Sequence, residues 1–460
     1  MKIPRFIIAG THSGVGKTTI TSGLMKLLHD TGLKVQGYKV GPDYIDPSYH
    51  TLATDRFSRN LDSWMLAENE ILELMGRNSQ DADVSIIEGV MGLYDGFGGN
   101  SDLGSTAHIA KITGSPVILV VDSRSMGRSA AALILGYLNF DPAVNIAGVI
   151  LNKVASERHR QILREAIAPL NIPILGFLYR NKEIGMPERH LGLIPAAEMA
   201  GLKEQLLEIS MHLKEQIFLP GLLAIANRAP EFPRYQVTLF TDAEKGIFKG
   251  LKIGYAYDPA FTFYYRDNLD YLTELGAEMI PVSPLTDPDL PADLSGLIIG
   301  GGFPELFLEK LSRNKQFITS LQSLHSQGLP VYAECGGFMY LTEKIVDFSG
   351  KELEMAGIIP GKCRMTKKLA GMGYREGLIS RNSILGEKGT RIKGHEFHYS
   401  SYQADSLEQP YGFCFTNGKQ EGYCTDTLLA SYLHIHFLSS PLIAKNFLTK
   451  CTEYKLKVGR

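Results

Sequence analysis

Residues 10–19, Gly10-Thr11-His12-Ser13-Gly14-Val15-Gly16-Lys17-Thr18-Thr19, lie between an apolar run at 6–10 and a helical pattern through Ile20, Leu24, Leu27 and Leu28. A glycine-rich turn joining a buried strand to a helix is the setting of a phosphate loop, and it restricts the chain to α/β architectures. Backbone amides and the helix N-terminus turn positive dipoles toward phosphate oxygens, Lys17 adds a point charge and the Thr18 hydroxyl is suited to magnesium. Gly14, Val15, Gly16, Lys17, Thr18 and Thr19 are therefore the expected nucleotide-phosphate contacts. Strict spacing would place the first glycine at position 11, where Thr11 stands, so the loop is a variant.

Apolar runs at 6–10, 35–40, 84–90, 117–122 and 146–152 alternate with helical stretches, as in βαβ units around a parallel sheet. A second series runs through 252–255, 279–282, 297–300 and 331–335, and a closing helix is expected near 441–451. At 460 residues the chain suits two α/β domains of roughly 200 residues each. The expected division is 1–225, a linker at 226–250 that lacks periodicity, and 251–455. A hydrophobic share of 44% and a charged share of 21% argue against disorder. A net charge of −2 with scattered Lys and Arg gives no footprint for nucleic acid or an anionic membrane. No apolar run approaches the roughly 18 residues of a membrane span, and the N-terminus lacks a signal-peptide plan, so a cytoplasmic location is expected. Five cysteines without a Cys-x-x-Cys pair indicate neither a disulfide framework nor a zinc site.

Carboxylates cluster where the second and third runs end. Gly41-Pro42-Asp43-Tyr44-Ile45-Asp46 follows the second, and Glu88-Gly89-Val90-Met91-Gly92-Leu93-Tyr94-Asp95 follows the third. Ligands of open α/β sheets bind at that carboxyl edge, and nucleotide-bound magnesium needs hard oxygens. Thr18, Glu88 and then Asp43 are the expected metal ligands. Asn152, before Lys153, could face an adenine because an amide both donates and accepts, or could belong to an ordinary strand-end turn.

In the second half, the run 330–333 leads into Glu334-Cys335-Gly336-Gly337 and a helical Phe338-Met339-Tyr340-Leu341. A thiol on a strand-to-helix elbow is lifted out of the sheet, and the helix N-terminus is expected to favour its thiolate. The amide of Gly336 and the glycine run Gly300-Gly301-Gly302 offer an oxyanion hole. Tyr432-Leu433-His434-Ile435-His436 sets two histidines on one face of an expected strand, one of them the general base. His395 and His398 read as supporting residues.

These motifs together resemble the cobyrinic acid a,c-diamide synthase family from end to end. The N-terminal half is similar to the dethiobiotin synthetase group through residues 10–18 and 41–46. The C-terminal half is similar to class I glutamine amidotransferase domains of the cobyric acid synthase branch through Glu334-Cys335-Gly336-Gly337, Gly394-His395-Glu396-Phe397-His398 and Tyr432-Leu433-His434. The resemblance implies a phosphate-loop parallel-sheet domain followed by an amidotransferase-like α/β domain, with His434 as the base. The usual His-x-Glu ending is replaced by His434-Ile435-His436, so a Cys335–His434 dyad is expected. It further implies Asp62, in Asn60-Leu61-Asp62-Ser63-Trp64-Met65, near the substrate carboxylates, and Asp46 and Asp95 positioning the acid or its acyl phosphate. The expected reaction amidates the a and c acetates of cobyrinic acid or a related tetrapyrrole acid, using ATP with Mg²⁺ and L-glutamine. Hydrogenobyrinic acid and nickel-sirohydrochlorin are the alternative rings. A shielded ammonia passage and a homodimer are further expectations, and the rivals are a partitioning-type switch ATPase and a thiol peptidase.

Overall fold

In the computed structural model, which describes residues 1–181, 185, 188–189, 192–193, 201–406 and 409–459, the first apolar run is β1 (Arg5–Gly10), buried along its whole length. Burial follows from its place in a seven-stranded sheet. The order is β3 (Arg59–Leu61), β2 (Val35–Val40), β4 (Val84–Glu88), β1, β5 (Val117–Asp122), β6 (Ile146–Val154) and β7 (Ile174–Tyr179). All the pairings are parallel. β4 ends at Glu88, two residues short of the expected boundary, and β3 and β7 extend the sheet beyond the expected runs. A three-residue strand carrying Arg59 and Asn60 has no legible alternation, and a six-residue apolar run after Pro173 cannot be told from a buried helical turn by period alone.

The connecting helices are α1 (Lys17–Asp30), α2 (Asp46–Thr54), α3 (Glu68–Asn78), α4 (Thr106–Thr113), α5 (Ser129–Phe140) and α6 (Glu157–Ile167). A two-stranded pair, β8 (Glu188–Arg189) and β9 (Gly192–Leu193), precedes α7 (Leu202–Gln216) and α8 (Leu219–Asn227). α1 buries the expected face, Ile20, Leu24, Leu27 and Leu28, in one core with Leu206, Ile209 and Leu213 of α7. The approach needs Gly23, where an added Cβ would lie 2.5 Å from Ile209 and 2.6 Å from Leu213. A methyl there would overpack the core by about 1–3 kcal/mol.

The chain divides into two compact units, Met1–Thr238 and Leu239–Arg460. Phe232 is buried beneath the Arg5 guanidinium, and Thr238 N donates to Glu73 Oε2 at 2.8 Å, which straps 230–238 to the first unit. In the second, Phe248 N donates to Leu275 O at 2.8 Å.

The second unit centres on β10 (Lys252–Ala256), β11 (Glu278–Val282), β12 (Gly296–Ile299) and β13 (Val331–Glu334). Helices α9 (Arg266–Glu274), α10 (Leu308–Arg313), α11 (Lys315–Ser326) and α12 (Gly336–Leu341) intervene or follow. Two four-stranded sheets come next. One joins β14 (Thr342–Val346), β15 (Glu352–Glu354), β16 (Ile359–Met365) and β19 (Ser400–Gln403); the other joins β17 (Gly371–Ile379), β18 (Arg391–His398), β20 (Phe413–Phe415) and β21 (Gln420–Glu421). The chain then returns through β22 (Tyr423–Cys424) and β23 (Leu428–Ser431) and closes with α13 (Pro441–Lys457). The main sheet has the order β11-β10-β12-β13-β23-β22, parallel except for the last pair. Strands β12, β13 and β23 are neighbours, so the glycine run, Cys335 and the late histidines meet at one edge. Among the described residues no helix is long and apolar enough to cross a membrane.

Candidate active sites

In the first unit, β1 delivers the phosphate loop and its neighbour β4 delivers Glu88 beside it, with Ile8 and Glu88 in register. Gly16 takes φ 101° as the cap of α1, a left-handed conformation that glycine adopts without strain. The Thr18 hydroxyl donates to Glu88 Oε1 at 2.7 Å and Asp46 Oδ2 at 3.2 Å. Lys39, in register with Glu88 across β2 and β4, lies 2.6 Å from Asp46 Oδ2 and 2.9 Å from Glu88 Oε1. His50 Nε2 meets Glu88 Oε2 at 2.7 Å. Lys39 and His50 escape sequence reading because one sits in an apolar strand and the other on a short helix. A lysine inside a run that is otherwise core is the signal that could have found the first.

Burial sets the electrostatics. It lowers Lys17 to about 8, helped by repulsion from Lys39 and opposed by Glu88, Asp46 and Asp95. Burial also works against the charge of Lys39, but Asp46, Glu88 and Asp43 hold its ammonium well above a lysine's ordinary value. One ammonium between two buried carboxylates does not keep both ionised. Burial, then Asp43 and Glu88, pushes Asp46 well up. Burial opposes the charge of Glu88 too, yet Lys39 and the bond from His50 hold its carboxyl below the usual range. Lys17 Nζ donates to His12 O at 3.3 Å and to Met91 O.

The other expected residues of this unit take different places. Asp43 stays outside the Thr18 cluster: Oδ1 accepts from the amides of Ile45 and Asp46 at 2.8 and 3.1 Å, opening α2, and Oδ2 is 3.9 Å from Lys39 Nζ. Asp46 stands in the cluster instead. Asp62 is fully buried and its Oδ1 accepts from the amides of Trp64 and Met65, so it shapes a turn and presents no surface to a substrate. Asp95 is exposed, and its Oδ2 accepts from Gly92 N at 2.9 Å. Asn152 Nδ2 donates to Val15 O at 2.7 Å and its Oδ1 accepts from Lys153 N, while Lys153 Nζ donates to Gly14 O at 2.9 Å. The pair braces the phosphate loop, and Asn152 retains an N–H and a lone pair for a base. Among the described residues no group of three or more His, Cys, Asp or Glu side chains forms a metal cage. Magnesium accompanying a nucleotide needs none: one or two carboxylates with a hydroxyl and phosphates suffice, and the Thr18, Glu88 and Asp46 oxygens converge in that way.

In the second unit, Cys335 follows the last residue of β13 with φ 47° and ψ −102°, a sharp, strained turn into α12. The glycine run packs against it. A Cβ on Gly336 would lie 3.1 Å from Gly302 N, one on Gly301 would lie 2.6 Å from His434 Cε1, and Gly337 N donates to Gly300 O at 3.0 Å. Only glycines allow so close an approach. The expected helix effect on the thiol is overridden: burial, then Glu305, pushes the Cys335 thiol up, and the Gly336 amide at the start of α12 pulls it down by less. The thiol rests protonated and needs a base.

His434 and His436 lie past the end of β23, in extended chain rather than in the expected strand. His434 pairs through its backbone with His395, at 2.9 and 3.0 Å, and the two rings stack with centroids 5.0 Å apart. His436 is fully buried against Tyr265, its ring nitrogens have no hydrogen-bond partner among the described residues, and burial lowers it to about 3. Of the two, His434 is the one beside the glycine loop. His398 stacks on Tyr432 at 3.8 Å. The acidic group beside His434 is Glu334, adjacent to Cys335 in sequence, with Oε2 3.3 Å from His434 Nδ1.

Comparison with known proteins follows the same division. Residues 6–194 match a family model described as the CobQ/CobB/MinD/ParA nucleotide binding domain, and residues 252–442 match the CobB/CobQ-like glutamine amidotransferase domain. The chain is 45% identical to the cobyrinate a,c-diamide synthase of Caldanaerobacter subterraneus subsp. tengcongensis, over 98% of this chain and 99% of that protein. It is 43% identical to that of Dehalococcoides mccartyi strain 195, over 97% and 98%, and 44% identical to that of Priestia megaterium, over 98% of both. With a phosphate loop and a thiol elbow in separate units and near-complete overlap at this identity, the chain belongs to the cobyrinate a,c-diamide synthase family.

Proposed function

We propose that this chain converts the a and c acetate carboxylates of cobyrinate into carboxamides in cobalamin biosynthesis, activating each with ATP and drawing nitrogen from glutamine. The observation that carries the reading is the pairing, in one chain aligned end to end with synthases of that name, of a phosphate loop beside buried carboxylates and a thiol elbow that shares its glycine run with His434.

In the second unit, Cys335 Sγ attacks the side-chain carbonyl carbon of glutamine and its proton passes to His434. His434 returns the proton to the departing ammonia, leaving a glutamyl thioester. Water then attacks the thioester, giving its proton to His434, which restores it to the sulfur as glutamate leaves. The amide of Gly336, with Gly301 and Gly302 alongside, receives the oxyanion of each tetrahedral state. In the first unit, a substrate carboxylate oxygen attacks the γ-phosphorus of ATP, ADP departs, and an acyl phosphate forms. Lys17 and the amides of Gly14, Val15, Gly16, Thr18 and Thr19 carry the phosphate charge. Mg²⁺ held by Thr18 with Glu88 would neutralise phosphate oxygens there, and the convergence of hard oxygens on Thr18 suits it. Ammonia attacks the acyl carbon and phosphate leaves, a far better leaving group than oxide. Asp46 lies at the metal end of this site, and Asp95, exposed on the loop and near enough to Lys17 to act on its charge, is the residue proposed to position the acid or its acyl phosphate.

The test is ADP and amide formation from cobyrinate and Mg²⁺-ATP with either glutamine or ammonium as donor. Cys335→Ala loses the glutamine-driven reaction and keeps the ammonium-driven one, whereas Lys17→Ala loses both by about a hundredfold or more. A wild type inactive with both donors overturns the choice of ring.

A further inference from the structure

Beside the thiol elbow the chain carries an acid that the His434-Ile435-His436 ending does not announce. Glu334 is the last residue of β13 and only 6% exposed. Its Oε1 accepts from Tyr332 Oη at 2.6 Å and from Ile435 N at 3.0 Å. Its Oε2 lies 3.3 Å from His434 Nδ1. Two other acids of this unit are engaged elsewhere: Glu396 pairs with Arg375 at 3.0 Å, and Glu421 accepts from Tyr432 N at 2.8 Å.

We propose that Glu334 is the positioning residue of the glutaminase site, holding His434 with its proton on Nδ1 and its lone pair on Nε2. This rests on the reading of Cys335 and His434 given above. An ionised carboxylate only accepts, so the nitrogen facing Oε2 is the donor and the other nitrogen carries the lone pair that takes a proton. Nε2 lies on the glycine-loop side, where a Cβ on Gly301 would come within 3.4 Å of it. When the proton of Cys335 moves to Nε2, the imidazolium forms against a buried negative charge, which stabilises it. The third member of the site thus precedes the nucleophile in sequence instead of following the histidine. The bond from Ile435 N to the same carboxylate ties the histidine segment to the elbow, so one side chain sets both the position and the tautomer of His434.

Glu334→Gln separates these two tasks. Its carbonyl can still accept from Tyr332 and Ile435, while its amide N–H faces Nδ1 and favours the opposite tautomer. Glutamine-driven kcat is expected to fall about a hundredfold or more with the glutamine KM nearly unchanged, and the ammonium-driven rate stays at the wild-type level. Glu334→Asp, which keeps the charge, recovers to within about tenfold. In ¹⁵N-histidine NMR spectra, with His434 identified by its loss in His434→Ala, the protonated nitrogen moves from Nδ1 in wild type to Nε2 in Glu334→Gln. A glutamine-driven kcat within about threefold of wild type, or an unchanged tautomer, overturns the proposal. Should wild type itself release no glutamate, the reading of the reaction fails, and the tautomer measurement, which needs no turnover, still decides the role of Glu334.

Discussion

At the scale of single residues, the first unit balances charges that would be untenable alone. Lys39 lies between Asp46 and Glu88 without solvent, and Lys17 sits near enough to that ammonium to be depressed to about 8 by burial and repulsion together. A depressed lysine is partly neutral in the free protein just above pH 8, and phosphate beside it restores the charge. ATP binding should therefore take up a proton at pH 8.5 and almost none at pH 6.5, where Lys17 is already protonated. Calorimetry in buffers of different ionisation enthalpy reads that number directly, and equal uptake at both pH values would contradict it. The sign for folding is the same: with the folded value below the unfolded one, the cost of burying the charge is greatest below about pH 8 and is relieved as pH rises. Lys17 and Thr18 are legible in sequence because their spacing to the glycines defines their chemistry. Lys39, His50 and Glu334 are not, since each acquires its role from a neighbour brought in by the sheet.

At the scale of elements, the elbow at Cys335 stores strain where the chemistry is done. With φ 47° and ψ −102° a side chain crowds its own backbone, and a glycine would not. Cys335→Gly should therefore unfold at higher denaturant than Cys335→Ala, by about 1 kcal/mol once glycine's extra chain entropy is subtracted. Both variants lack the thiol, so the comparison isolates the backbone, and equal or reversed stability would show that the turn is unstrained. The strand-elbow-helix pattern was readable because residues 330–341 switch from an apolar strand to a glycine-broken helix. The placement of His434 was readable only in part. It stands beyond β23, in chain held by Glu334 and by its backbone pair with His395, two contacts of long sequence separation. The bracing of the phosphate loop by Asn152 and Lys153 is of the same kind: strand β6 ends beside a loop more than a hundred residues earlier.

At the scale of the whole molecule, two units with separate cores carry two half-reactions that make sense only together. Acyl phosphate without ammonia is wasted by water, and ammonia without an acyl phosphate meets no electrophile. One ADP and one glutamate should accordingly appear for each carboxamide formed, with mono-amide passing to diamide in the mass spectrum. Glutamate released well in excess of carboxamide under full turnover would show that the halves run independently. The sequence by itself determined the α/β class, the phosphate loop, the thiol elbow and hence the reaction, because each depends on residues adjacent in the chain whose spacing carries the chemistry. The tertiary structure alone decided that Asp46 rather than Asp43 meets Thr18, that Asp62 is buried in a turn, that Lys39 bridges the carboxylates, and that Glu334 faces His434. Those outcomes depend on strand order and register, which bring distant side chains within hydrogen-bond reach and which no local pattern encodes.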